Sequence, residues 1–320
     1  MAEIHVIHEN AAWLEPLAKA LDSEHLPWRD WHLDRGVFDL SQPPPAGVFY
    51  DRMSASSHTR DHRYAAELTA SVLAWLAGHG RRVVNGPRAL DLEISKARQY
   101  AALAAAGIRA PRTVLVAGRE LLVGAADRHF AGEPVILKPN RGGKGLGVRL
   151  FHSAEALAAY VAGDDFEAPV DGIHLLQQYI RSPDALITRA EFIGGTFLYA
   201  VEVDTSDGFE LCPADACQIG DAFCPAGPGE IAPEQIVSPR AKFTIIDGID
   251  AALQARYEAF LAANGIEVAG IEFIRDETGG VYTYDVNTNT NYNPDAERVA
   301  GRSAMTALAR FLGEELAHLR

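Results

Sequence analysis

The stretch PVILKPNRGGKGLGVRLF, residues 134–151, leaves the backbone few courses. An apolar, β-favouring run leads to Lys138. Gly142, Gly143, Gly145 and Gly147 then leave the chain bare around Lys144, and a second apolar run follows. Glycines at that density destabilise a helix and permit a tight turn whose N–H groups can fold over phosphate oxygens. The GxxxxGK[ST] order of a phosphate loop is absent, and no dinucleotide fingerprint opens a helix here. The stretch reads as strand, glycine turn, strand: a flap over a nucleotide, or else a plain β-hairpin. The two lysines flanking the glycines favour the flap.

A second signal lies near the C-terminal end, where AGIEFIR and VYTYDVNTNTNYN both alternate like half-buried strands. A side-chain period of two puts Asp285 and Asn287 on one face, with Tyr284 and Val286 on the other. If the two strands pair antiparallel, Glu272 can face Asp285. Two carboxylates and one amide oxygen are hard donors suited to Mg²⁺, with room left for phosphate oxygens. The alternative is a polar, solvated strand face.

The remainder of the 320 residues organises around these two signals. That length suggests two or three domains. The segment 1–93 alternates strand and helix, as a parallel sheet requires. Its strands are Ile4–Ile7, GVFYD at 47–51 and Val83-Val84-Asn85. Its helices carry Trp13, Leu14, Leu17 and Leu21, with Pro16 delaying or kinking the first, and Tyr64, Leu68, Val72 and Trp75 in the second. A helix from Lys96 to Ala106 ending at Gly107, the strand TVLVA and a helix capped by Ser153 place a second domain at 94–173. The third, 174–320, opens with LLQQYI and contains helices with Ile249, Leu253, Tyr257 and Phe260, and with Met305, Leu308, Phe311 and Leu312. The segment 205–240 reads as a long functional loop.

Composition excludes several classes of function. With 48% apolar and 22% charged residues and three cysteines, the chain is neither disordered nor a disulfide scaffold. No apolar run approaches the ~18–20 residues of a membrane span, and MAEIHVIHEN carries no leader pattern, so a soluble, cytoplasmic protein is expected. A net charge of −14 disfavours nucleic acid.

Taken together these motifs resemble the ATP-grasp superfamily, most closely its RimK-like and glutathione-synthetase-like carboxylate–amine ligases, over roughly residues 83–312. The resemblance implies an α/β (α+β ATP-grasp) fold: an N-terminal parallel-sheet substrate domain, then a two-part ATP-grasp unit with the nucleotide between its central and C-terminal domains. It implies ATP and Mg²⁺ as cofactors, two ions with Mn²⁺ as a substitute. Lys96 and Lys138 match the nucleotide lysines, GGKGLG the flap with Lys144 near the phosphates, and Gln178, Tyr179 and Ile180 the adenine hinge. Arg189, before a GG hairpin, matches the arginine steadying an acyl-phosphate, and Glu272, Asp285 and Asn287 match the magnesium positions. Ile187 and Val203 stand where RimK-like enzymes often carry an aspartate and a second arginine. Glu272 and Asp285 also exchange the side-chain lengths usual at the first two metal positions.

In the first domain, FYDRMSASSHTRDHRY at 49–64 releases Arg52, Ser54, Ser56, His58, Arg60 and Arg63 from a strand end, where α/β sheets bind ligands. Arginine suits bidentate carboxylate capture. The resemblance implies that this face holds substrate through Arg52, His58, Arg60 and Arg63, with Arg52 foremost and also catalytic; Asn289 joins the substrate set. Cys212, Cys217 and Cys224, spaced by four and six residues, read as structural thiols. The expected activity joins a small carboxylate to an amine in a homo-oligomeric enzyme. The rivals are a ligase acting on a peptide or protein, a kinase on another acceptor, and a non-catalytic nucleotide-binding protein.

Overall fold

The computed structural model describes residues 2–143, 145–206 and 241–319. Their strands form three sheets. The first is wholly parallel, in the order β2-β1-β3-β4, from β1 (Glu3–His8), β2 (Trp28–His32), β3 (Gly47–Asp51) and β4 (Arg82–Val84). Central β3 is buried along its whole length, as expected of a strand covered on both faces. Helix α1 (Ala11–Ser23) starts directly after Asn10, whose side chain accepts from the Trp13 N–H, and it contains Pro16. Edge strand β2 has no counterpart in the sequence reading: WRDWH carries too many polar residues to stand out as an apolar run.

Helix α2 (Ala65–Gly78) turns a different face inward from the one expected. Ala65, Ala66, Thr69, Val72, Leu73 and Leu76 are buried, while Tyr64 is 72% exposed. The small alanines let the helix approach the sheet, and Trp75 is left at the rim, where its indole donates to Gln42 O at 3.2 Å. Two helices then lead into the next unit: α3 (Pro87–Glu93), not anticipated, and α4 (Lys96–Ala105), N-capped by Ser95.

The second sheet is antiparallel, in the order β5-β8-β6-β7, from β5 (Thr113–Ala117), β6 (Val135–Pro139), β7 (Arg149–Phe151) and β8 (Ile173–Gln178). It is backed by α5 (Leu122–Phe130) and α6 (Ala154–Ala162), the latter capped by Ser153. The glycine-rich segment joins β6 to its antiparallel neighbour β7, as a strand–turn–strand reading requires. The third sheet, also antiparallel, runs β11-β10-β9-β12-β13, from β9 (Leu186–Ile193), β10 (Thr196–Asp204), β11 (Phe243–Ile246), β12 (Val268–Arg275) and β13 (Val281–Asn287). Helix α7 (Ala251–Ala263) packs on it, and α8 (Pro294–Ala300) and α9 (Ala304–His318) follow.

The largest core joins the first and third sheets. Met305, Leu308, Leu312 and Leu316 of α9 pack with Ile4, Val6, Val48 and Tyr50 of the first sheet and with Tyr199, Val201 and Val268 of the third. Each leucine removed from water there contributes about 1.5–3 kcal/mol, so the last helix fastens the two ends of the chain together. No helix among the described residues is long and apolar enough to cross a membrane.

Candidate active site

Strand register sets the floor of a cavity of about 520 Å³ between the second and third sheets. Arg189 on β9 pairs across to Glu272 on β12, and Glu272 pairs across to Asp285 on β13. Three side chains of charge plus, minus, minus therefore stand in one row. The ladder shifts between Glu272 and Phe273, and the extra residue opposite is Tyr284. This bulge corrects strict alternation: Tyr284 lines the cavity together with Asp285, whereas Val286 is buried in the core.

The row is held in place on all sides. The Arg189 guanidinium lies 2.7 Å from Glu191 and 3.3 Å from Glu272, both buried. It passes over Gly270, where any Cβ would collide with it. Burial pushes Glu191 up to about 7, with Arg189 opposing. Asn287 donates its amide N–H to Glu272 Oε1 at 3.1 Å, so its oxygen points elsewhere. Lys96, the first residue of α4, donates to Asp285 Oδ1 at 2.6 Å. Burial alone would lower Lys96, but Asp285, Glu93 and Glu272 outweigh it and hold the ammonium above its ordinary value. Burial would likewise raise Asp285, yet Lys96 and Lys138 keep it below the usual carboxylate range.

Lys138, on β6, enters from the opposite wall. It is buried and donates to the Tyr100 hydroxyl at 2.6 Å, which in turn donates to Tyr284 O at 2.6 Å. Burial, reinforced by the charge of Lys96, pulls Lys138 down to about 7. Asn140, just beyond β6, accepts from the Lys96 N–H through its carbonyl and from the Ala97 N–H through its side chain, which ties the strand to the start of α4. Gly142, Gly143 and Gly145 line the cavity. A side chain at Gly143 would come within van der Waals range of Ser56, whereas one at Gly147, in the left-handed region at φ 72°, would meet Pro139, and Gly147 does not line the cavity. Lys144 and Cys212, Cys217 and Cys224 lie outside the described residues. Gln178, Tyr179 and Ile180 line the cavity where β8 ends, and Asn289 lines it beyond Asn287.

The first-domain arginines do not behave as expected. Arg52 is 2% exposed and stands behind the wall, bonded to Asn289, Thr290 and Asn291. Arg60 is taken up by Glu9 at 2.6 Å and by Ser56, and Arg63 by Glu67 at 2.9 Å and Val170 O. His58 does not line the cavity, and burial followed by the nearby Arg141 lowers its basicity. The reason is electrostatic: each arginine near the sheet edge finds a protein partner before it can reach the opening. What the loop does offer the cavity is Ser54, Ala55 and Ser56. Glu93 and Asn291 also line it without having been singled out. Glu93 sits at the end of a short helix with little periodicity, while Asn291 continues the every-second-residue asparagine pattern of Asn287 and Asn289 and was legible on that ground.

The donors fit a hard divalent cation: two opposed carboxylates and an amide whose nitrogen is already used. Among the described residues no group of three or more His, Cys, Asp or Glu offers a rival metal centre.

No family model matches the sequence, and no curated protein does. Solved structures do. A RimK-domain ATP-grasp protein from Sphaerobacter thermophilus is 18% identical over 97% of this chain and 99% of its own, with a TM-score of 0.64. The ATP-grasp ligase PsnB, complexed with a phosphomimetic variant of its minimal precursor, Mg and ADP, is 16% identical over 98% and 99%, at 0.66. The D-cycloserine synthetase DcsG is 17% identical over 98% and 99%, at 0.64. Near-complete coverage in both directions at these TM-scores identifies the chain as having the ATP-grasp fold.

Proposed function

We propose that the chain is an ATP-dependent, ADP-forming ligase that joins a carboxylate to an amine through an acyl-phosphate, acting on a small, amino-acid-like substrate. The observation that carries this reading is the Arg189–Glu272–Asp285 row facing Lys96 and Lys138 across one cavity. In the reaction, a carboxylate oxygen of the substrate attacks the γ-phosphorus and ADP leaves. The amine then adds to the acyl carbon, inorganic phosphate departs, and the amine gives up a proton. Lys96 and Lys138 offset phosphate charge, and Arg189 steadies the acyl-phosphate and the oxyanion of the tetrahedral intermediate. Glu272, Asp285 and Asn287 would hold Mg²⁺, two ions or Mn²⁺ in their place; bound there, the metal withdraws charge from the β- and γ-oxygens. The glycine segment around 142–147 excludes water, which would otherwise hydrolyse the acyl-phosphate.

We divide the chain for this purpose at 93 and 173, into substrate, flap and metal-bearing parts. The test is ADP release from Mg·ATP with pooled carboxylates, with and without hydroxylamine. A trapped hydroxamate supports acyl-phosphate chemistry, and pool-dependent ADP release without one favours a kinase. A peptide acceptor is the second reading, favoured by the likeness to PsnB, which was captured with a precursor peptide; peptides stimulating ADP release where small carboxylates do not would select it.

A further inference from the structure

We propose that Ser54, Asn289 and Asn291 form a carboxylate-anchoring wall of the cavity, and that buried Arg52 behind them is a positioning residue that orients and polarises the two amides without touching substrate. The proposal rests on the ligase reading and specifies how that site holds its substrate.

A guanidinium has only donors. Arg52 Nε and Nη2 donate to Asn289 Oδ1 at 3.3 and 3.2 Å, and Nη2 also donates to Asn291 Oδ1 at 2.9 Å. Both amides must therefore turn their oxygens toward Arg52 and their NH₂ groups away from it, and both residues line the cavity. The serines follow the same logic. Ser56 Oγ accepts from Arg60 Nη1 and Nη2 at 3.2 and 3.3 Å, which uses its lone pairs, so its own hydrogen goes to Ser54 Oγ at 2.9 Å. Ser54 Oγ also accepts from the Ser56 N–H at 3.1 Å, so its hydrogen is left to donate outward. Three neutral donors thus line the cavity, the two amides around one guanidinium.

Arg60 is neutralised by Glu9. The partners of Arg52 are all uncharged, and its Nη1 is buried without a hydrogen-bond partner. Burial raises the carboxyl of adjacent Asp51 to about 8, which disfavours its charged form as a counter-ion. A buried cation without a counter-ion is unfavourable, and one ligand carboxylate in the cavity would supply the missing negative charge while accepting from the wall. Chain reach keeps Asn289 within about 7 Å and Asn291 within about 14 Å of Asn287. A carboxylate accepting from Asn289 therefore lies only two residues along the chain from the metal position.

The test uses the intact chain, with the side-chain NH₂ signals of ¹⁵N-labelled asparagines assigned through Asn289→Asp and Asn291→Asp. Acetate and L-alanine are titrated against acetamide, L-alaninamide and inorganic phosphate. The proposal expects the carboxylates to move both NH₂ signals saturably and the amides to leave them still. Equal shifts from the amides, no shift from the carboxylates, or tenfold tighter binding of phosphate would overturn it. Arg52→Gln should weaken acetate at least tenfold and Arg52→Lys should restore part of that loss; an unchanged acetate affinity in Arg52→Gln rejects the role of Arg52. Should Arg52→Gln not fold, Asn291→Asp decides. It gives Arg52 an internal counter-ion, so the melting temperature should rise and the acetate response vanish, whereas wild-type acetate binding refutes the wall. Mg·ATP binding measured alongside separates the two readings: failure to bind nucleotide sinks the ligase while the amide shifts stand, and ADP release with unmoved amides sinks the wall alone.

Discussion

An alanine at Gly270 tests whether the site depends on the close passage of Arg189 over β12. A Cβ there would stand 2.6 Å from Arg189 Nη2 and 2.8 Å from Cζ, where ordinary contact begins near 3.4 Å. The guanidinium must retreat by most of an ångström. It has no easy path, because Glu191 at 2.7 Å and Glu272 at 3.3 Å hold it from two sides. Stretching a charge-assisted contact forfeits about 1.5–3 kcal/mol, and separating a buried pair outright costs about 3–5 kcal/mol. Gly270→Ala should therefore destabilise the chain by about 2–4 kcal/mol, against a typical total of about 5–15 kcal/mol. With Arg189 displaced, substrate-dependent ADP release should fall by about 10²–10³-fold. Gly124→Ala is the matched control: it lies in α5, exposed, with nothing within 4 Å of its would-be Cβ, and should stabilise by about 0.5–1 kcal/mol. Urea unfolding of the two variants reads the difference. Equal midpoints together with unchanged ADP release would refute the reasoning.

Asp285→Ala should lower ATP turnover by at least about 10²-fold, and full turnover in that variant would remove the metal assignment. Burial pulls Lys138 down to about 7 in the folded chain, against 10.5 for an ordinary lysine. The unfolded chain thus binds more protons between those values, and this group makes the nucleotide-free protein more stable as pH rises from about 7 toward 10. Phosphates beside Lys138 favour its charged form, so nucleotide binding at pH 8 should take up close to one proton. Calorimetry in buffers of different ionisation enthalpy would show the uptake, and it should disappear in Lys138→Met; identical enthalpies in every buffer contradict it. Leu312→Ala should destabilise by about 2–5 kcal/mol, read by denaturant melts, if α9 fastens the first sheet to the third.

Local chemistry made several features legible in the amino-acid order. The glycines at 142–147 exclude a helix, and strand periodicity brought Asp285 and Asn287 to one face, so the turn between β6 and β7 follows from short-range rules, while the facing of Glu272 and Asp285 also needed the two strands to pair. Asn10, Ser95 and Ser153 cap their helices through hydroxyl or amide oxygens a few residues from the N–H groups they satisfy. What depends on partners distant in sequence was not legible. The inner face of α2 is set by the sheet it meets, and Tyr284 reaches the cavity only because β13 carries one residue more than β12 between paired positions. The arginines at 52, 60 and 63 looked alike as a run of charges. Glu9, Glu67 and the asparagines beyond β13, brought in by the tertiary fold, divide them into a neutralised pair and one buried cation. The sequence by itself determined where glycine turns, lysines, carboxylates and amides fall along each element, because donor type and local period are properties of the chain. Only the tertiary structure decided which of them face the cavity, because burial and ion pairing depend on groups that meet far apart in sequence.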